Sequence, residues 1–121
     1  MIVTPTALPG VLVVVDNFGE FKENYEDKLP VLTALVRDGR AFGIYFAITA
    51  SQTADVPSRL YNLFTERVSL KLPDAGDYVT IVGRGAPNFN DVQGRGVVNI
   101  NRTPMEFQTA LPLPRPYTDD E

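Results

Sequence analysis

The sequence has no cysteine, no histidine and no tryptophan, and its 121 residues include only three lysines, Lys22, Lys28 and Lys71. Without cysteine there is no disulfide framework and no thiolate metal site. Without histidine as well, zinc sites and histidine-based catalytic triads are excluded. Acid–base chemistry would therefore run on carboxylates or lysine. Long apolar runs are also missing: the longest, Val11 to Val15 and Ile44 to Ile48, have five residues each, far short of the roughly 20 that a membrane-spanning helix needs. Met1-Ile2-Val3-Thr4-Pro5 has no basic stretch followed by a long apolar core, so it does not read as a signal peptide. The net charge of −4 argues against a broad phosphate-gripping surface on this chain. The expectation is a water-soluble domain of intracellular type.

Ten prolines and nine glycines predict short elements joined by tight loops. Val-Leu-Val-Val-Val at 11–15, bounded by Gly10 and by Asp16-Asn17, reads as a strand buried on both faces. Residues 20–28 are charged and read as a loop or a solvated helical turn. Pro30 suits the first turn of a helix through Leu32, Leu35 and Val36, with Gly39 as its C-cap. Residues 44–49 form a second buried strand that ends in the polar run Thr49-Ala50-Ser51-Gln52. Pro57 and Ser58 open a short helix through Leu60, Leu63 and Phe64.

A third strand is predicted at 67–72, with Val68, Leu70 and Leu72 on one face and Arg67, Ser69 and Lys71 on a wet one. Asp74 reads as an N-cap with Asp77 as its acidic capping partner, and Gly83 ends that helix. Residues 95–100 and 105–110 pair as a hairpin across Asn101-Arg102-Thr103-Pro104. From Pro112 onward the Pro-rich, acidic segment reads as a linker or frayed tail. This order predicts an α/β fold with at least three strands in a mostly parallel sheet flanked by helices, followed by a C-terminal β-hairpin.

Ligands of such sheets bind at the carboxyl ends of strands. Asp16-Asn17 and Ser51-Gln52 end the two most apolar strands, which makes these four the candidate binding residues. An apolar strand followed by an acid is the Walker B pattern, in which the strand holds a carboxylate where it can help coordinate magnesium on nucleotide phosphates. A strand-end aspartate that merely caps a turn has the same signature.

The stretch Val11 to Phe18 resembles the Walker B strand of FtsK/SpoIIIE-type ATPases. Residues 37–50, with Gly39-Arg40 and Gly43-Ile44, are similar to that family's next segment. Asp55-Val-Pro-Ser-Arg59, Arg67 to Leu72 and Asp74 to Gly83 follow in the same order. Gly94-Arg95-Gly96 and Pro104 to Pro112 are most similar to the modules of type VII secretion motors, the EccC/EssC group. The resemblance, which covers roughly residues 10–112, implies that residues 1–112 are the C-terminal half of a RecA-like P-loop NTPase module, with 113–121 left as a tail or linker by composition. It implies ATP and Mg2+ as cofactors, Asp16 as the metal residue, and Ser51 or Gln52 as a polar sensing residue. It also implies other modules of the same ATPase and a secreted protein substrate as partners, a cytoplasmic location, and membrane attachment only through other parts of a parent chain. Sheet edges and apolar surface left uncovered without an N-terminal half predict self-association into homo-oligomers.

Two departures stand against full activity. A Walker A loop needs Gly-Lys followed by Ser or Thr, and none of the three lysines follows a glycine. The family's water-activating glutamate after the Walker B aspartate is replaced by Asn17, and Glu20, three residues further on, is a poor substitute. The leading expectation is therefore a fragment of a degenerate motor module. The alternatives are the Walker B half of an active DNA-translocating ATPase and a non-catalytic peptide-binding or assembly module. Arg40 and Arg59 resemble family arginines, while Arg84 and Arg95 lie in glycine-rich loops where an arginine can face a neighbouring subunit; for all four, an ordinary surface role explains the residue as well.

Overall fold

The computed structural model describes residues 9–110 and 112; the Pro-rich tail expected at 113–121 lies outside them. The chain forms two compact units, Met1–Thr65 and Glu66–Glu121, and each is described by itself.

In the first unit, β1 (Val11–Val15) leads through α1 (Phe18–Asn24), a 3-10 turn (Glu26–Lys28) and α2 (Leu29–Asp38) to β2 (Ile44–Ile48). A 3-10 turn at Thr53–Asp55 and α3 (Ser58–Tyr61) follow. β1 and β2 pair in parallel, with Val11 opposite Ile44 and Val15 opposite Ile48. β-Branched residues suit this pleated surface, and the helical connection is what a parallel pair requires. Residues 20–28, expected as a loop or solvated helical turn, are largely helical. Pro30 sits in the first turn of α2 as expected. Gly39 follows α2, but it keeps right-handed helical angles and a 3-10 turn runs on to Phe42; the left-handed residue is Gly43, at φ 73°. Gly39 is buried, and a β-carbon there would lie 3.2 Å from the Ile44 side chain.

Burial of β1 on both faces does not hold. Val13, Val15, Phe46 and Ile48 are half-buried, and α2 packs against β2. The opposite face is exposed among the described residues: Leu12 is 64% and Val14 62% exposed, with Tyr45 and Ala47 exposed beside them in register. Periodicity cannot tell a strand covered on both faces from one whose second cover is elsewhere.

The second unit holds β3 (Val68–Leu70), α4 (Asp77–Val82), β4 (Arg95–Ile100) and β5 (Thr103–Gln108). β3, β4 and β5 make an antiparallel sheet in that order. The expected third parallel strand is therefore an antiparallel edge strand, and its faces are the reverse of expectation. Ser69 is 4% exposed, whereas Val68 is 61% exposed and Leu70 is also open. Ser69 lies opposite Val97, and Val97 belongs to the core with Tyr78, Val82 and Phe89. Tyr78 meets Phe89 edge-on, and its hydroxyl accepts the Leu72 N–H at 2.7 Å.

The hairpin forms with a two-residue turn, Asn101-Arg102, both at positive φ (51° and 66°). Positive φ at both centres is the type I′ geometry that matches strand twist. Pro104 sits on the edge strand β5, where a missing N–H is tolerated. α4 starts later than expected: Asp74 Oδ1 accepts the Gly76 N–H at 2.7 Å, so it closes the preceding turn and no Asp74–Asp77 capping box forms. Gly83, at φ 88°, ends α4, and the Asn99 side-chain amide donates to the Val82 carbonyl at 2.7 Å. No helix among the described residues is long and apolar enough to cross a membrane.

Candidate functional site at the carboxyl ends of β1 and β2

The parallel register carries past the ends of the strands. Because Val15 lies opposite Ile48, the residues that follow, Asp16 and Thr49, become neighbours. The Thr49 hydroxyl donates to Asp16 Oδ1 and accepts the Asn17 backbone N–H at 2.9 Å. The backbone closes the same corner: the Thr49 N–H donates to the Val15 carbonyl at 3.0 Å, and the Phe18 N–H donates to the Thr49 carbonyl at 2.8 Å. One carboxylate is thus aimed by a hydroxyl on the adjacent strand, at the edge where α/β sheets bind ligands.

Asn17 is left-handed, at φ 59° and ψ 70°, a region that asparagine enters more readily than other residues with a β-carbon. Its carboxamide donates to Glu20 Oε2 at 3.2 Å. The backbone at the turn into α1 thus favours an amide, and Glu20 is the acid it holds. Asn17→Val is expected to destabilise the first unit by about 1–2 kcal/mol through the left-handed penalty, while Asn17→Gly changes it by less. Chemical denaturation checks this; equal losses for the two variants would show that the backbone conformation is not the reason for asparagine.

The other two candidates divide. Gln52 is spent on structure: its backbone N–H and side-chain amide donate to Asp55 Oδ2 and Oδ1 at 3.3 and 3.2 Å, a capping box on the 3-10 turn. Ser51 is exposed, and its hydroxyl has no partner among the described residues. Arg40, Arg59 and Arg84 are exposed. Arg95 is tied into the hairpin by Glu106 at 3.2 Å and Gln108 at 3.1 Å, which leaves its guanidinium engaged within its own unit. The Arg37 guanidinium, hydrogen-bonded to Asp38, holds that carboxyl below its usual range. This exposed pair ends α2, near the start of β2 and thus at the opposite end of the strands from Asp16.

Sequence reasoning missed Thr49 and Asp55. Thr49 had no local signal, since it lies beside Asp16 only in the one parallel register that sets Val15 opposite Ile48. Asp55 had none either, because its role comes from contacts across a turn.

Magnesium takes hard oxygen ligands, commonly one or two carboxylates completed by water and phosphate. Asp16, held by the Thr49 hydroxyl, suits that chemistry. Among the described residues no group of three or more His, Cys, Asp or Glu side chains could hold a metal alone. Both lysines of the first unit have partners among the described residues: Lys22 Nζ donates to the Ala54 carbonyl at 3.4 Å, and Lys28 pairs with Asp27 at 2.9 Å.

No protein-family model matches the chain. Curated relatives do. The type VII secretion system protein EssC of Staphylococcus aureus (strain MRSA252) is 27% identical over 112 residues, which is 91% of this chain and 8% of that protein. The ESX secretion system protein EccC of Geobacillus thermodenitrificans is 26% identical over 113 residues, 93% of this chain and 7% of that protein. The ESX secretion system protein YukB of Bacillus subtilis (strain 168) is 30% identical over 91 residues, 75% of this chain and 6% of that protein. The chain is a homologue of the EssC/EccC secretion proteins. A solved structure of EssC (ATPases 2 and 3) from Geobacillus thermodenitrificans shares the fold at a TM-score of 0.75 and 24% identity, over 86% of this chain and 20% of that one. This EssC/EccC homologue spans less than a tenth of the length of these curated relatives. A mixed α/β fold carrying a parallel pair and helices agrees with the C-terminal half of an FtsK/SpoIIIE-like module.

Proposed function

We propose that residues 1–112 are the Walker B-bearing half of a RecA-like ATPase module from a type VII secretion motor, and that this chain alone is catalytically silent. The observation that carries the reading is the Asp16–Thr49 corner: a strand-end carboxylate aimed by the neighbouring parallel strand. Asp16 supplies the metal side of a magnesium–ATP site, with Ser51 as the polar contact. The phosphate cradle comes from elsewhere in the assembly, since no Gly-Lys-Ser/Thr sequence exists here. Asn17 lacks the proton affinity of the glutamate it replaces, which supports a degenerate module.

The exposed apolar face of β1 and β2 supports association with other modules of the same ATPase, because exposed apolar patches mark partner surfaces. In this reading the module is cytoplasmic and the parent motor moves secreted protein. DNA as cargo is disfavoured by the net charge of −4.

The test is magnesium–ATP titration of the purified chain, followed by calorimetry and by NMR shifts, with Asp16→Ala as control. The expected result is weak binding, with Kd on the order of 1 mM (about −4 kcal/mol), perturbing residues 16–20 and 49–52. Asp16→Ala should abolish it, and no turnover should rise above buffer. Perturbations elsewhere, or an unchanged response in Asp16→Ala, would refute the site. Substantial turnover lost in Asp16→Ala would refute the silent module.

A further inference from the structure

The segment after β2 is joined to the first turn of α1 by one carboxylate. On one side, Asp55 accepts the backbone and side-chain N–H groups of Gln52 at 3.3 and 3.2 Å. On the other it lies against Gly19, where a β-carbon would sit 3.2 Å from Asp55 Cγ and 3.3 and 3.4 Å from its two oxygens. Gly19 is not among the glycines at positive φ, so its local reason for being glycine is this close approach, not backbone angle. A second tie runs parallel to the first, from Lys22 Nζ to the Ala54 carbonyl at 3.4 Å. α1 and the Thr53–Asp55 turn therefore meet through two independent contacts, and neither is needed by the β1–β2 ladder.

The consequence falls on the site. Asp16 and Asn17 open α1, with Glu20 in its first turn; Ser51 and Gln52 open the turn that Asp55 closes. Gln52 is consumed by its cap and Ser51 has no partner among the described residues. We propose that Asp55 is a positioning residue that locks the Ser51–Gln52 corner to the first turn of α1 through Gly19, so that Ser51, and not Gln52, meets a magnesium–phosphate ligand together with Asp16. This rests on the nucleotide reading above for its ligand, but not for its mechanics: the clamp is a property of the chain whether or not nucleotide binds.

Amide hydrogen exchange on the full chain tests the mechanics, because local opening reports how segments are coupled. Asp55→Ala is expected to speed exchange at residues 52–56 and 19–22 together, by about tenfold or more, with the β3–β5 sheet unchanged. Asp55→Asn, which keeps one acceptor oxygen, should recover part of the protection. Gly19→Ala should reproduce the effect by pushing on the carboxylate. The double variant Gly19→Ala, Asp55→Ala should be no worse than Asp55→Ala alone, since contacting residues are non-additive. Faster exchange confined to 52–56, or an additive double variant, would overturn the clamp. Should Asp55→Ala not fold, Asp55→Asn and Gly19→Ala decide the same question.

Magnesium–ATP titration decides the ligand role. Ser51→Ala should leave exchange at 17–22 unchanged and lower the binding response at least threefold, while Gln52→Ala should loosen the turn before it affects binding. Loss of binding in Gln52→Ala with no change in Ser51→Ala would reverse the assignment. If the unaltered chain gives no response at all, the nucleotide reading fails and Ser51's role with it, while the exchange results still stand or fall by themselves.

Discussion

Phe18→Ala is expected to destabilise the first unit by about 3–5 kcal/mol, the range for deleting a buried aromatic ring. Phe18 is fully buried and begins α1, directly after the left-handed Asn17. Its ring stacks on Phe21 at a centroid distance of 5.6 Å, and Phe21 in turn meets Tyr25 at 5.3 Å. These ring contacts run along α1 and its C-cap, and Phe18 is the fully buried member of the row. The Phe18 N–H also donates to the Thr49 carbonyl at 2.8 Å, so this buried residue is joined to the corner that aims Asp16. The cavity left by alanine should therefore loosen the strand-end corner before it reaches the strands. Thermal melting and exchange at residues 16–21 read the two effects, and Phe18→Leu, which refills most of the volume, should recover most of the loss. A melt within about 1 kcal/mol of the unaltered chain would mean that α1 is held by something other than this ring.

In the second unit, Gly96→Ala is expected to cost about 3 kcal/mol or more, at the upper end of overpacking. A β-carbon at residue 96 would run into the backbone carbonyl of Ser69 and come within 2.8 Å of the Phe107 ring. The ring edge belongs to a side chain that can turn, but the carbonyl belongs to the paired strand β3 and cannot retreat without breaking the pairing of Leu70 with Gly96. The damage should thus appear as loss of β3 from the sheet. Urea denaturation followed by NMR of the Leu72 amide measures it, since that N–H, two residues past β3, donates to the Tyr78 hydroxyl. A Phe107→Ala, Gly96→Ala double variant separates the two clashes: the ring's share is relieved and the backbone's is not. Full recovery in the double variant would show that only the ring was in the way.

Several elements were legible because a local rule and the tertiary contacts agree on them. The run Val11–Val15, the Pro30 start of α2, the strand at 44–48 and the stop at Gly83 all carry signals within four residues of the feature they announce. The hairpin was legible as well, although its turn is two residues and not the four suggested by Asn101 to Pro104, because Arg102 adopts a positive φ that its type does not advertise. The site was half legible. Asp16 follows from strand-end position alone, whereas the separation of Ser51 from Gln52 depends on Asp55 reaching across a turn to one of them.

β3 shows why the rest was not. Its alternation of Val68 and Leu70 against Ser69 is unambiguous, yet the apolar face is the bare one and Ser69 is inside. Alternation states that two faces differ; which face is covered depends on what packs there, here the Val97 face of β4 with α4 and Phe89. The same holds for β1, where an apolar run gives no sign that Leu12 and Val14 lack a cover among the described residues.

By itself the sequence determined the order of the strands and of α2, α3 and α4 but not α1, the absence of thiol, imidazole and Gly-Lys chemistry, and the strand-end aspartate, since each is written in residue type or in short-range spacing. Only the tertiary structure decided that two strands pair in parallel and three antiparallel, that Thr49 aims Asp16, that Asp55 needs a glycine at position 19, and which apolar faces remain open. Those are relations between segments tens of residues apart, and they are set by which surfaces find a partner, a quantity that no window along the chain contains.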